Sequence, residues 1–272
     1  MAAQYKTIHP VKYYRDFLAH DLRPDGRSPD KTRNVTVNVN SISTADGSST
    51  VRIGNTTVIC GIKAELGKPK PDEPECGFMV PNVELPPLCS PLFRPGPPSE
   101  EAQAMTCFVS QATSDMVDLK ELCVSTDNLA WVLHIDMICL DYDGCVQDAC
   151  LIALSAALRT VKLPKVEYDA ETKLPSVSLD ERADLHVKSS PVSTSFAVFD
   201  DEIILSDPTG EEENLSSAKL SVVTDGEVIL SVHKPGGSAL SETQLQDCIS
   251  VAKDRANLVN ELINVALSSV DR

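Results

Sequence analysis

Cations are scarce in this chain: 24 lysines and arginines face 40 aspartates and glutamates, a formal net charge of −16. Holding a polyanion needs clustered cations that displace its counterions, so this balance argues against an unaided nucleic-acid binder. Aromatic residues make up only 4% of the chain, with a single tryptophan. That leaves little material for a base-stacking platform, and no aromatic-basic interleaving stands out. No Cys-x-x-Cys pair occurs among the nine cysteines. Most of them sit inside apolar runs, as Cys60 and Cys139 do, which predicts reduced, buried thiols rather than a zinc site or a disulfide framework. The histidines, at 9, 20, 134, 186 and 233, show no metal-ligand spacing. Nothing approaches the ~20 apolar residues of a membrane span, and residues 1–10 lack the apolar centre of a signal peptide. The expectation is a soluble, unexported protein with no membrane partner and no cofactor.

What is present suits a globular protein. Apolar residues reach 42% of the 272, enough for a sizeable core in one large domain or two small ones. Val11, Tyr14 and Leu18 recur at helical spacing, predicting an N-terminal helix over 1–20. Val35, Val37 and Val39 alternate, and Ala45-Asp46-Gly47 and Gly54-Asn55 make turns, so 35–64 reads as an antiparallel meander. Residues 67–76 carry prolines and charges without periodicity, an exposed loop. Ser99 is placed as the N-cap of a helix running to about residue 114, with Glu100 and Glu101 facing the positive end of its dipole. In 129–142, Trp131, Leu133, Ile135, Met137 and Cys139 alternate as a strand does. Residues 149–158 are apolar almost all round, predicting a helix buried between layers. The polar stretch 164–182 reads as a surface crossover. Short strands follow near 185–188, 195–199 and 202–206. Asp225-Gly226 suits a tight primed turn between strands at 220–223 and 228–232. Ser241-x-x-Gln244 is a capping-box pattern for a last helix with Leu245, Ile249, Ala252, Val259, Leu262 and Ala266 inward.

A meander followed by a helix thus occurs twice, which predicts an α/β (α+β two-layer) architecture of two related halves sharing a sheet, with a C-terminal helix. The order of motifs resembles the RNase PH family over nearly the whole chain: Arg23-Pro24-Asp25-Gly26-Arg27, then Gly54-Asn55-Thr56-Thr57-Val58, then Leu140-Asp141-Tyr142-Asp143-Gly144. Within that family, Gly96-Pro97-Pro98-Ser99-Glu100 and Asp148-Ala149-Cys150 are similar to the non-catalytic ring subunits of the RNA exosome. The resemblance implies a single RNase PH-type domain over 1–272. It also implies a hetero-oligomeric ring with other RNase PH-like subunits, cap subunits bearing RNA-binding domains, and RNA threading the assembled channel. The implied localisation is the nucleus, including the nucleolus, and the cytoplasm.

Active relatives cleave RNA from its 3′ end with inorganic phosphate as nucleophile, so they need donors for phosphate, arginines for RNA and an acid for the leaving oxygen. In them a Gly-Thr-Arg or Gly-Ser-Arg triplet opens the buried helix, and Asp148, Ala149 and Cys150 are expected at that place here. A charge reversal at ~4 Å shifts such an interaction by several kcal/mol, which argues against phosphate binding. Asp207 and Glu213 match the family's pair of acids six residues apart, with Glu213 where the catalytic acid stands. A solvated acidic loop after a strand explains them better, because an acid without a phosphate clamp cannot carry this chemistry alone. The helix after Ser99 ends without a cation, and Arg94 just upstream remains as a candidate RNA contact. Asp136, Asp141 and Asp143 fit a polar strand end better than a metal site. Lys234-Pro235-Gly236-Gly237-Ser238 lacks the spacing of a phosphate loop.

Three functions follow. The first is a structural, catalytically inactive ring subunit; the second is an active phosphate-dependent 3′-5′ exoribonuclease with Glu213 as acid, its site shared with a neighbour. The third is a free-standing acidic adaptor. The residues that open the buried helix discriminate the first two.

Overall fold

Alternating β-branched residues build the larger sheet of the computed structural model, which describes residues 2–114, 116–169 and 175–270. Two short helices come first, α1 (Ala2–Ile8) and α2 (Pro10–Leu18). Proline suits the first turn of a helix but not its interior, so the chain breaks at His9 and the expected single N-terminal helix is two. Tyr5, His9, Tyr13 and Phe17 form a ladder of ring contacts along these helices, at 5.0 to 6.3 Å between centroids. With Lys6, Lys12 and Arg15 between them, they are an aromatic-basic stretch that the sequence reading passed over.

The meander follows as β1 (Val35–Val39), β2 (Gly47–Ile53) and β3 (Thr56–Gly67), antiparallel throughout. Residues 68–77 connect it, without helix or strand, to β4 (Phe78–Glu84). Ser99 caps α3 (Glu100–Thr113), its side chain accepting a bond from the Ala102 N–H. The short β5 (Cys123–Ser125) leads into β6 (Leu129–Asp141). β6 pairs antiparallel with β3 and parallel with β4, giving the order β1-β2-β3-β6-β4 with β5 beside β6.

Asp143-Gly144 turns the chain from β6 straight into α4 (Val146–Leu158), three residues earlier than the apolar run suggested. From Val146 onward, every residue of α4 except Gln147 is buried, as an all-round apolar helix must be. It packs on β2, β3 and later on a strand of the second sheet, so it joins the two halves.

The expected surface crossover at 164–182 is instead a hairpin, β7 (Lys162–Tyr168) with β8 (Pro175–Asp184). Its polar alternation was missed because both faces are largely wet, which erases the two-residue hydrophobic period. Of the strand expected at 185–188 there is one bridge, Val187 to Val117.

The second sheet runs β10-β9-β11-β12, built from β9 (Val192–Phe199), β10 (Ile203–Ser206), β11 (Ala218–Thr224) and β12 (Ile229–His233). Asp200 and Asp201, both at positive φ, turn β9 into β10. At Asp225-Gly226 only the glycine has positive φ, and a bulge at Val223/Thr224 absorbs the extra residues, so this turn is not the primed type expected. Between β10 and β11 lies the short α5 (Gly210–Leu215), started by a Thr209/Glu212 capping box.

α6 (Glu242–Val270) closes the fold, with Ser241 and Gln244 exchanging the expected capping bonds. Its buried side is Cys248, Ala252, Ala256, Val259 and Ile263, together with one charge, Arg255. Leu262 faces out instead, because the face rotates by one position over so long a helix.

Candidate functional site

A cleft of about 210 Å³ opens where α3, the start of α4, α5 and β11 meet, lined among others by Phe108, Tyr142, Gln147, Glu213, Lys219 and His233. Its floor is the N-terminus of α4, where the unpaired N–H groups and the helix dipole favour an anion. Cys145 caps that helix in a left-handed conformation and gives no side-chain cap. A carboxylate supplies what is missing. The Cys145 N–H donates to Glu213 Oε1 at 2.6 Å, and Lys219 Nζ lies 3.1 Å from Glu213 Oε2. Glu213 is held there by α5, and its side chain is only 12% exposed. The two anion-seeking groups of the cleft, the helix end and Lys219, are therefore both engaged by the protein's own carboxylate.

The residues that open α4 are Cys145, Val146 and Gln147, not Asp148, Ala149 and Cys150. All three line the cleft, Gln147 as the least buried, and its amide donates to Ser195 Oγ at 3.0 Å and also to Ser221 Oγ. Ala149 and Cys150 are fully buried in the core. Asp148 is buried too and does not face a phosphate position. It accepts from Ser195 N at 2.9 Å, from Ser195 Oγ at 2.7 Å and from Arg255 Nη1 at 3.0 Å. The expected repulsion by a free Asp148 charge is absent, because Arg255 neutralises it inside the fold.

Asp207 is similarly enclosed. Arg33 donates to it three times, from its backbone N at 2.7 Å, Nε at 3.0 Å and Nη2 at 2.7 Å. Burial alone would raise its pKa, but Arg255 and Arg33 hold the carboxyl well below the usual range. Asp207 and Glu213 thus part company: the first ties the second sheet to the segment after α2, and only the second reaches the cleft. The ligand atoms of Cys145, Asp148 and Asp207 lie within 4.8 Å of one another. A cation fits poorly between them, since Arg33 and Arg255 already match both charges and burial pushes the Cys145 thiol up, away from the thiolate a metal needs.

Arg94 is exposed and lines a different groove with Pro86, Pro87 and Pro98, away from Glu213. Among the described residues, Lys219 is the only lysine or arginine lining the cleft. α3 contributes none in its last turn. Tyr142, whose hydroxyl donates to Glu101 Oε1 at 3.4 Å, has its pKa raised by burial and by the nearby Glu213 and Glu101, so it stays neutral.

Sequence reasoning did not single out Gln147, Lys219 or Arg255. The first had a usable signal, because the helix starts directly after the Asp143-Gly144 turn. Arg255 also had one, as a charge on the apolar face between Ala252 and Ala256. Lys219 had none, being one polar position in an alternating strand.

Comparison with known proteins agrees with this architecture. Residues 31–164 match the model of the 3′ exoribonuclease family domain 1, and residues 189–255 match that of domain 2. The chain is 40% identical over 254 residues to the exosome complex component rrp43 of Schizosaccharomyces pombe, covering 92% of this chain and 94% of that one. It is 37% identical to the exosome complex component Rrp42 of Thermococcus gammatolerans, covering 93% of each. A chain of the Archaeoglobus fulgidus exosome, solved with RNA bound to the active site, superposes with a TM-score of 0.82 at 32% identity, over 92% of this chain and 96% of that one.

Proposed function

The chain belongs to the RNase PH, or 3′ exoribonuclease, family, and from that membership we propose that it is a structural, catalytically inactive ring subunit of the RNA exosome. One observation carries the loss of chemistry: the carboxylate of Glu213 sits on the α4 N-terminus and on Lys219, and the first turn of α4 offers Gln147 and no arginine. Phosphate arriving there meets a fixed negative charge and no charge-assisted donor from the triplet position. An acid bound to a helix end and a lysine is also poorly placed to hand a proton to a leaving oxygen.

The protein supports RNA processing and degradation by other subunits of the complex, ribosomal RNA maturation and messenger turnover included. Its partners are other RNase PH-like ring subunits, with RNA-binding cap subunits on one face and RNA passing through the shared channel. The 272 residues act as one unit, because α4 serves both sheets and the Asp148–Arg255 pair locks α4 to α6. Apolar surface is available for assembly: Ile229, Leu230 and Val232 on the outer strand β12, and Leu258, Leu262 and Val265 on α6, are all exposed. Residence in the nucleus, nucleolus and cytoplasm follows from that role.

Mixing the purified chain with RNase PH-like subunits from the same source and sizing the mixtures tests the assembly. A defined hetero-oligomer containing this chain is expected. A chain that stays monomeric with every such neighbour contradicts the reading and favours a free-standing adaptor.

A further inference from the structure

Two cysteines stand apart from the rest. Cys60, Cys89, Cys139, Cys145, Cys150 and Cys248 are buried and Cys107 is exposed on α3, while Cys76 and Cys123 are both half-exposed. Cys76 lies near the end of the 68–77 connection and Cys123 opens β5.

The connection is tied alongside β5 at two points. The Gly77 N–H donates to Leu119 O at 2.8 Å, and the Asp127 N–H donates to Pro74 O at 3.1 Å. At Gly77 the approach is so close that a methyl group there would lie 2.5 Å from Leu122 Cβ. Cys76 falls between these two ties, and Cys123 directly follows Leu122. The two ties run the two segments in opposite directions and, with the Gly77–Leu122 approach, bring Cys76 alongside Cys123, whose pKa is raised by partial burial first and the Cys76 thiol next. Cys123 also lines an open groove of about 590 Å³ with Trp131, Leu163, Arg182 and His186, so small solutes reach it. Cys89 and Cys139 are neighbours too, but both are buried.

We propose that Cys76 and Cys123 form a reversible redox pair, closing into a disulfide that clasps the 68–77 connection onto β5 when the chain meets a hydroperoxide. Cys76, half-exposed on the irregular connection, is oxidised first. Its sulfur takes one oxygen of hydrogen peroxide as the O–O bond breaks, giving a sulfenic acid and water. The Cys123 sulfur then attacks the Cys76 sulfur. The S–S bond forms, the S–O bond breaks, and the hydroxyl leaves with the Cys123 proton as a second water. Two thiols lose two electrons and one peroxide becomes two waters. A dithiol reductant reverses the change.

The test treats the full chain with hydrogen peroxide, blocks free thiols, and maps linkages by mass spectrometry of a non-reduced digest. The expected product is a Cys76–Cys123 cross-linked peptide, with two of the nine thiols lost and both restored by dithiothreitol. Amide hydrogen exchange over residues 72–77 should slow about tenfold in the oxidised form, because the clasp suppresses local opening. Cys76→Ser and Cys123→Ser should each abolish the cross-link, whereas Cys107→Ser leaves it unchanged. Recovery of Cys76 and Cys123 only as separate free or over-oxidised thiols, or linked to other cysteines, would overturn the proposal.

Discussion

Asp148 and Arg255 bury a charge pair where α4, α6 and β9 meet, and Ser195 supplies the remaining bonds to the carboxylate. Taking away one partner strands the other in a medium that cannot solvate it. Asp148→Ala is therefore expected to destabilise the chain by about 3 to 5 kcal/mol, read from urea unfolding. Asp148→Leu combined with Arg255→Met should recover most of that loss, because an apolar pair leaves no charge behind. If Asp148→Ala unfolds like the wild type, the pair is not structural. Asp207 gives a pH dependence of known sign. Its folded pKa lies below the unfolded value of about 3.9. Its contribution is complete above that pH and is lost as the pH falls through the folded value. Stability should thus drop below about pH 4, and Asp207→Asn, less stable at neutral pH, should show a flatter acid limb. At this scale the sequence was least legible: it showed that Asp148 and Asp207 are acidic, but not that each meets an arginine over a hundred residues away.

The elements that carry strong local signals were readable in advance. Ser99 with two glutamates behind it starts α3, and the strict alternation from Leu129 defines β6. Elements with wet faces were not. The β7–β8 hairpin exposes most of its side chains, and nothing in its composition separates it from a loop. The junction between β6 and α4 was off by three residues, because the apolar run from Ala149 was weighted over the turn Asp143-Gly144, directly after which the helix begins in polar sequence. Gly144 matters there. It has φ +76°, and a methyl group on it would come 2.6 Å from Gly210 N. Gly144→Ala should destabilise the chain by at least about 1 kcal/mol and push α5 away from the α4 opening. The matching observable is a lower melting temperature, together with a changed environment for the Cys145 amide. An unaltered melting curve would show that the two turns do not need to touch.

Over the whole molecule, architecture was the most legible property and chemistry the least direct. Two meander-helix units in series predicted two related halves sharing a sheet; the two halves are there, but each has its own sheet, and α4 packs against both. The loss of phosphate chemistry was argued from Asp148, Ala149 and Cys150, which lie buried inside α4 rather than at its opening. Helix geometry moves the argument to Gln147 and to the engaged Glu213, and the conclusion keeps its direction. The net charge of −16 suits this role, since an acidic ring member need not grip RNA itself.

Phosphate-dependent release of nucleoside diphosphates from RNA, measured for the chain alone and for the assembled complex with wild-type or Glu213→Gln protein, tests the central claim most directly. The account predicts no release by the chain alone, and equal release, or equal lack of it, by the two complexes. Release by the chain alone that needs phosphate and disappears with Glu213→Gln would contradict it and make this subunit an enzyme.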